Sequence, residues 1–363
     1  MAVRTATTTG WLLRGKDGRL TAYAPAPGGI VRWTETRPGG PEWSGPQRFE
    51  VPGLEPYVSI AQNAEGYVFL AGVRRRAHED GRAETDVVYA TQFQSGRALT
   101  NWRSIGTPYG QDWERADQIG APTAVADGVG LHLYFRNAGR GVSGRRQDAR
   151  GIWGPWLDLH GSRVLDTGAA GVSADGRVEL LASTADCVLR WRQEEPGGPL
   201  QRVPDTSAKS LTGSFTCAPA DDGRVDHFWR AEADSVLHVQ HPAAPAGQDS
   251  AEAPAPIALT SLGTDGTGPV AVLRTTLDGQ DCTVLAQRSA SGLPAVAAYA
   301  TQEQAPADAS WSETGEECVG VPALALDAAG RVVAAALAPD GTLRVARQRT
   351  DASGLALGDW ARV

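Results

Sequence analysis

The chain has 363 residues, 41% of them hydrophobic, with a net charge of −8 and a pI near 5.3, enough for one sizeable core. Basic side chains are almost all arginine, lysine occurring only at Lys16 and Lys209, and no basic stripe of the kind that carries nucleic-acid affinity is present. No window approaches a membrane span, and the N-terminus lacks the apolar core of a signal peptide, so nucleic-acid and membrane partners are excluded and a cytoplasmic protein is expected. Arginine in place of lysine, with abundant alanine and glycine, reads as a high-GC, actinobacterial source.

A turn signal recurs along the chain as Asp17-Gly18-Arg19, Glu65-Gly66, Asp127-Gly128, Asp175-Gly176-Arg177, Asp222-Gly223-Arg224, Asp278-Gly279 and Ala329-Gly330-Arg331, at intervals of 47 to 62 residues. Behind each turn an apolar run closes on a polar marker: Glu35, Gln92, Gln147, Gln193, Gln240, Gln302 and Gln348. The marker follows the glycine by 17 residues in the first, fourth and fifth repeats and by more in the second and sixth, which hold insertions. Self-similarity at this period signals a repeat architecture.

Within the fourth repeat, Ala169 to Ala174 is a weakly apolar strand and Asp175-Gly176 a tight hairpin. Val178 to Ala182 is a second strand, Cys187 to Gln193 a third rich in β-branched and aromatic residues, and Leu200 to Val203 a short fourth after Pro196-Gly197-Gly198-Pro199. Four antiparallel strands in about 50 residues make a propeller blade. The pattern therefore predicts an all-β, seven-bladed β-propeller in one domain, with blades near 8–51, 57–106, 119–161, 166–203, 212–262, 267–315 and 319–363. Each blade is read from consecutive sequence, so the ring must close through side chains of blades one and seven. The markers are read as structural ties between backbones.

Fourth strands begin near Trp43, Trp102, Trp153 with Trp156, Trp311 and Trp360, whereas blades four and five offer Leu200 and Ile257. These tryptophans are read as inter-blade packing. Cys187, Cys217, Cys282 and Cys318 fall in different blades without metal-ligand spacing and read as buried structural thiols. Pro242 to Pro256 reads as a surface loop inside blade five, and Arg74 to Asp80 as a solvated hairpin insertion carrying His78. His132 and His227, flanked by apolar residues in second strands, read as hydrogen-bonded core histidines.

In a propeller the loops from one blade's outer strand to the next blade's inner strand gather on one face, and the turns between second and third strands are expected toward the other face or the rim. The longest polar interblade loop, Thr107 to Gln118, packs two aromatics, three carboxylates and an arginine. It is the candidate site. Tyr109, Trp113 and Arg115 are candidate ligand-binding residues, joined by Tyr57 and Asp166, while Asp112, Glu114, Asp117 and His160 are the candidate acids, bases or hydroxyl acceptors. Other interblade loops carry Glu55, Asp205, Lys209, Asp265, Glu316 and Glu317. No nucleophile elbow, metalloprotease motif, phosphate-cradling loop, calcium loop, sialidase-type repeat or Trp-Asp repeat occurs, and neither a cofactor nor a metal is read from these residues.

The repeat as a whole resembles the PLL-like and tectonin-like seven-bladed propeller lectins. The resemblance is carried by Asp175-Gly176-Arg177-Val178-Glu179-Leu180 through Gln193, by Asp222-Gly223-Arg224-Val225-Asp226 through Gln240, and by the Trp153 to Gly161 outer strand and connection. It implies the propeller fold and multivalent binding of fucose-like sugars between blades. Diverged blades and unequal insertions depart from a repeated sugar site and favour one asymmetric site instead. Three functions follow: a lectin-like binder of a small molecule or glycan, a cofactor-independent lyase, cyclase or hydrolase of bacterial secondary metabolism, or a protein-interaction scaffold.

Overall fold

The computed structural model describes residues 8–79, 81–220, 223–242, 254–303 and 306–363. Asp222 of the fifth turn, Asp80 of the hairpin insertion and residues 243–253 of the blade-five loop lie outside the described residues. The chain is a seven-bladed β-propeller, its seven antiparallel sheets each holding four strands hydrogen-bonded in chain order. Sheets run Leu12–Glu50, Leu54–Gly106, Thr123–Asp158, Asp166–Thr206, Thr216–Ala258, Thr267–Glu313 and Val319–Arg362 when taken from the first to the last strand residue.

Second strands read as continuous apolar runs because both sheet faces are covered by neighbouring blades. All six residues of Val178–Ser183 are buried, as are all six of Val332–Leu337. The turns before them need positive backbone dihedrals, which Gly18, Gly176 and Gly330 supply at φ 78°, 88° and 77°. The fourth-strand tryptophans sit half-buried against the inter-blade clusters, Trp43 between blades one and seven and Trp153 with Trp156 between blades two and three.

The polar markers are clasps. The side chains of Glu35, Gln147, Gln193 and Gln348 accept hydrogen bonds from the Leu20, Leu131, Val178 and Val332 amides at 2.8, 3.3, 2.7 and 3.2 Å. Each donor is the first residue of the second strand, so one side chain locks the exit of the first turn to the end of the third strand. Gln193 also donates to the Gly198 carbonyl at 2.8 Å, and Gln240 accepts from the Thr206 hydroxyl at 2.9 Å. Gln92 instead accepts from Arg32 of blade one at 2.6 Å, and Gln302 is exposed beyond the end of its third strand.

Arginines then stitch each blade to the next. Arg19 donates to the Ser95 carbonyl at 2.7 Å, Arg146 to the Gly197 and Gly198 carbonyls at 2.6 and 2.7 Å, and Arg177 to the Gly223 carbonyl at 3.1 Å. At the seam between blades seven and one, Arg331 donates to Gly39 at 3.0 Å and Arg347 to Gly40 at 2.7 Å. Arg347 also ion-pairs with the fully buried Glu35. From the other side, Arg14 donates to the Asp327 carbonyl and Trp11 to the Val321 carbonyl, both at 2.9 Å. Among the described residues no strand crosses the seam, so side chains alone close the ring.

Removing one partner of a buried ion pair leaves the other charge uncompensated and costs about 3–5 kcal/mol. Arg347→Met is therefore expected to lower unfolding stability by about 3 kcal/mol or more, measured by urea denaturation. Arg349→Ala, which removes an exposed pair with Asp351, is expected to leave the midpoint nearly unchanged. Equal effects from the two variants would contradict closure through the Glu35 pair.

Candidate functional site

The loop from Thr107 folds into a single helical turn, Trp113–Ala116, whose first amides are capped by Asp112 accepting from the Arg115 N–H at 3.2 Å. Residues two apart on a helix point about 200° apart, so Trp113 and Arg115 face opposite ways. Trp113 and Asp117, four apart, face the extended second-third hairpin of blade two, Val68–Ala77 and Ala83–Gln92. His78 of that hairpin meets the Trp113 ring edge-on at 4.7 Å, and the Arg82 guanidinium lies 4.7 Å over it. Asp117 ion-pairs with Arg75, which also bonds Glu55 at 2.9 Å, and Thr85 donates to Asp117 at 3.4 Å. Glu114 is exposed, its carbonyl accepting from the Gln118 amide at 3.1 Å. The hairpin insertion thus holds Trp113 and Asp117 rather than standing free in solvent.

Arg115 lies on the inner side, 4.9 Å over the ring of Tyr109. The Tyr109 hydroxyl accepts from the Ala138 N–H at 2.8 Å, which ties the loop to the turn between the second and third strands of blade three. That turn shares a face with the interblade loops. The expectation that such turns lie toward the opposite face or the rim is corrected by this contact: an even number of strand reversals separates the two connections.

Between loop and turn opens a cleft of about 430 Å³. Its walls are Tyr109 and Arg115 on one side, Trp156, Asp158 and His160 on the other, with Asn137 and Ser143 at the floor. Asn137 and Ser143 are nearly buried, Asn137 accepting from the Gly141 N–H at 2.8 Å and donating to Ser143 at 3.2 Å. Trp156 stands edge-on to Phe135 at 5.3 Å with Arg145 at 5.4 Å. His160 takes a left-handed conformation at φ 62°, its amide donating to Asp158 at 2.9 Å. Its Nδ1 is 3.8 Å from the other Asp158 oxygen, and both side chains are largely exposed, at 86% and 63%. They stand open to solvent.

Tyr57 and Asp166 are brought together elsewhere, in an axial cavity of about 200 Å³ at the inner strands, with Ser59, Thr123, Thr216 and Cys217. Burial, then the nearby Asp166 carboxylate, push the Tyr57 hydroxyl far up against a hydrogen bond with Ser59 that lowers it, so Tyr57 stays neutral. Of the sequence candidates, Tyr109, Arg115 and His160 line the cleft, whereas Asp112 caps the helix. Asp158, Asn137 and Ser143 were not singled out from the sequence. The signal for Asp158 is its position two residues before His160 in an interblade connection; nothing local marks Asn137 or Ser143.

The core histidines sit in closed pairs. His132 donates through Nε2 to the Asp127 carboxylate at 2.9 Å, and its Nδ1 lies 3.0 Å from the Tyr134 hydroxyl, all three residues buried. Burial alone would push the Asp127 carboxyl up, but hydrogen bonds from His132 and from the Gly130 and Val129 amides outweigh it and hold the carboxyl below its usual value. His227 makes the same bond to Glu179 of blade four at 2.9 Å, and Glu179 is held low despite its burial. The four cysteines are free. Cys282 and Cys318 are buried, Cys187 and Cys217 half-buried, and burial raises Cys318 to about 11 and Cys217 further. Among the described residues no three His, Cys, Asp or Glu side chains gather as a metal site, and no helix is long and apolar enough to cross a membrane.

No protein-family model matches the chain, and no curated protein matches it in sequence. Among solved structures it is similar to the BP39L lectin from Burkholderia pseudomallei, with 12% identity and a TM-score of 0.64 over 98% of this chain and 99% of that one. It is also similar to a putative 6-phosphogluconolactonase from Bacteroides fragilis, with 13% identity and a TM-score of 0.57 over 96% and 98%. A protein of unknown function from Dyadobacter fermentans shares 12% identity at a TM-score of 0.52 over 94% and 93%. These likenesses show a shared fold.

The lowered Asp127 carboxyl makes a contribution that is full above its unfolded value near 3.9 and is lost as pH falls through the lower folded value. His132→Phe removes the main lowering bond and leaves burial to act. The variant is expected to melt well below the parent at pH 7, and the deficit should narrow below about pH 4 as the carboxyl protonates. A deficit constant from neutral to acid pH would show that the ring acts through packing alone.

Proposed function

We propose that the protein binds a small molecule or carbohydrate at one asymmetric site, the cleft over blade three. The observation that carries this reading is that the cleft wall is the Thr107 to Gln118 insertion, which no other interblade connection of the ring reproduces. Its chemistry suits a sugar: Tyr109 and Trp156 offer aromatic surface, Asp158 accepts from hydroxyls, and Arg115 and His160 supply donors. Fold likeness to a Burkholderia lectin supports a lectin-like role, as does the PLL-like and tectonin-like repeat. The net charge of −8 fits a small neutral or polar ligand better than nucleic acid.

A second reading, catalysis without a cofactor, draws on Asp158 and His160, an imidazole and a carboxylate 3.8 Å apart on an open wall. A lactonase-named neighbour of the same fold keeps that reading in view. The two share a site and differ in turnover.

On a glycan array, followed by calorimetry with the bound sugar, Arg115→Ala and Asp158→Asn are each expected to weaken binding about tenfold or more. Both side chains are exposed, so melting temperatures should stay within about 2 °C of the parent. Glu114→Ala should bind normally, because Glu114 lies outside the cleft. Trp113→Ala should lower the melting temperature and weaken binding less than Arg115→Ala, since Trp113 positions the helix and touches no ligand. Conversion of the bound sugar, lost in His160→Ala, would decide for catalysis; full binding by both cleft variants would place the site elsewhere.

A further inference from the structure

A groove of about 520 Å³ opens on the face opposite the cleft, between the first turns of blades one and two and the third turn of blade two. Phe93 lies there with 53% of its surface exposed, edge-on to Tyr67 with ring centroids 5.0 Å apart. The groove is lined by three cations and two carboxylates. Lys16 pairs with Glu65 and Arg19 with Asp17, each at 2.7 Å, which leaves Arg97. Among the described residues no carboxylate stands within ion-pair reach of Arg97, so the groove carries one surplus positive charge on a protein of net charge −8.

The backbone presenting Phe93 and Arg97 is fixed. Arg19 donates to the Ser95 carbonyl at 2.7 Å, and Arg32 of blade one bonds the carbonyl of Arg97 itself. Ser95 is buried against Gly15, where an added Cβ would collide with its hydroxyl, so the blades already meet as closely as a side-chain-free position allows. An exposed aromatic edge pair beside an uncommitted guanidinium, on a rigid turn, is complementary to a planar apolar group joined to an anion.

From this we infer that the groove is a second binding site, separate from the cleft, for a small molecule joining a planar aromatic group to a carboxylate or similar anion. The ring packs on Phe93 and Tyr67, and the anion takes the paired N–H donors of Arg97. Because it involves neither Arg115 nor Asp158, the inference stands or falls apart from the sugar reading.

Naphthoate, titrated calorimetrically against the full chain, is the probe, with naphthylmethanol as its neutral counterpart. Saturable one-to-one binding of naphthoate is expected, weakened about tenfold or more by Phe93→Ala and by Arg97→Ala, and unchanged in the double variant Arg115→Ala with Asp158→Asn. Naphthylmethanol should bind at least about tenfold more weakly than naphthoate. Both groove side chains are exposed, so unchanged melting temperatures certify folded variants. No saturable binding by the parent, equal binding of the neutral alcohol, or full binding by both groove variants would overturn the site.

Discussion

Ring closure between blades seven and one is the constraint on which the rest depends. Seven sheets each hold four strands of consecutive sequence, so among the described residues nothing in the ladders joins the first blade to the last. The join is made by an apolar cluster of Trp11, Leu12 and Leu20 against Ala323, Val333 and Val345, and by arginines that find carbonyls and a buried carboxylate across the seam. Arg14 and Arg331 both attach to the first turn of blade seven or its neighbour in blade one, so the turn glycines and the seam are one system. A buried pair such as Glu35 with Arg347 contributes less net stability than its Coulomb attraction, because both charges leave water. It ties the third strand of the last blade to the buried marker carboxylate of the first.

This closure leaves the loops free to diverge. The marker clasps lock the second and third strands of a blade, and the cross-blade arginines reach the turns on the face away from the cleft. None of these contacts uses the Thr107 to Gln118 connection. An insertion of the length of Thr107 to Gln118 therefore adds a wall without disturbing the blades beneath it, and the blade-two hairpin extends to grip it through Trp113 and Asp117. The result is a cleft on a scaffold of repeated parts that is itself not repeated.

The fold was legible in the sequence because each of its signals performs a local task. A glycine at φ near 80° cannot be replaced cheaply, and a glutamine that must accept from an amide 15 or 16 residues earlier holds a fixed register. Gln92 and Gln302, the markers of the two repeats with insertions, depart from this clasp: Gln92 accepts from Arg32 of blade one, and Gln302 lies beyond a third strand that ends at Ala300. The site was only partly legible. Composition singled out the loop that walls the cleft, since aromatic and charged side chains of both signs are dense there, but not the side of the helical turn each would face. That depends on a hairpin some 30 residues earlier in the chain, whose His78, Arg82 and Arg75 draw Trp113 and Asp117 outward and thereby turn Arg115 inward. Asn137 and Ser143 reach the cleft floor through a turn that no local pattern distinguishes from the others.

Charge placement separates the cleft face from the interior in a way that sequence order does not suggest. On the cleft face Arg115, Asp158 and His160 are exposed to water. In the interior, Asp127 and Glu35 are buried with both carboxylate oxygens accepting, and buried Glu179 accepts from His227. A buried carboxylate with its donors filled has no capacity left for a ligand, whereas an exposed one keeps its lone pairs. The interior acids thus serve the ring, while the cleft acid Asp158 keeps its oxygens open to solvent. The histidines divide the same way: His132 and His227 are held between blades by carboxylates, while His160, lifted into a left-handed turn, is the histidine on the cleft wall.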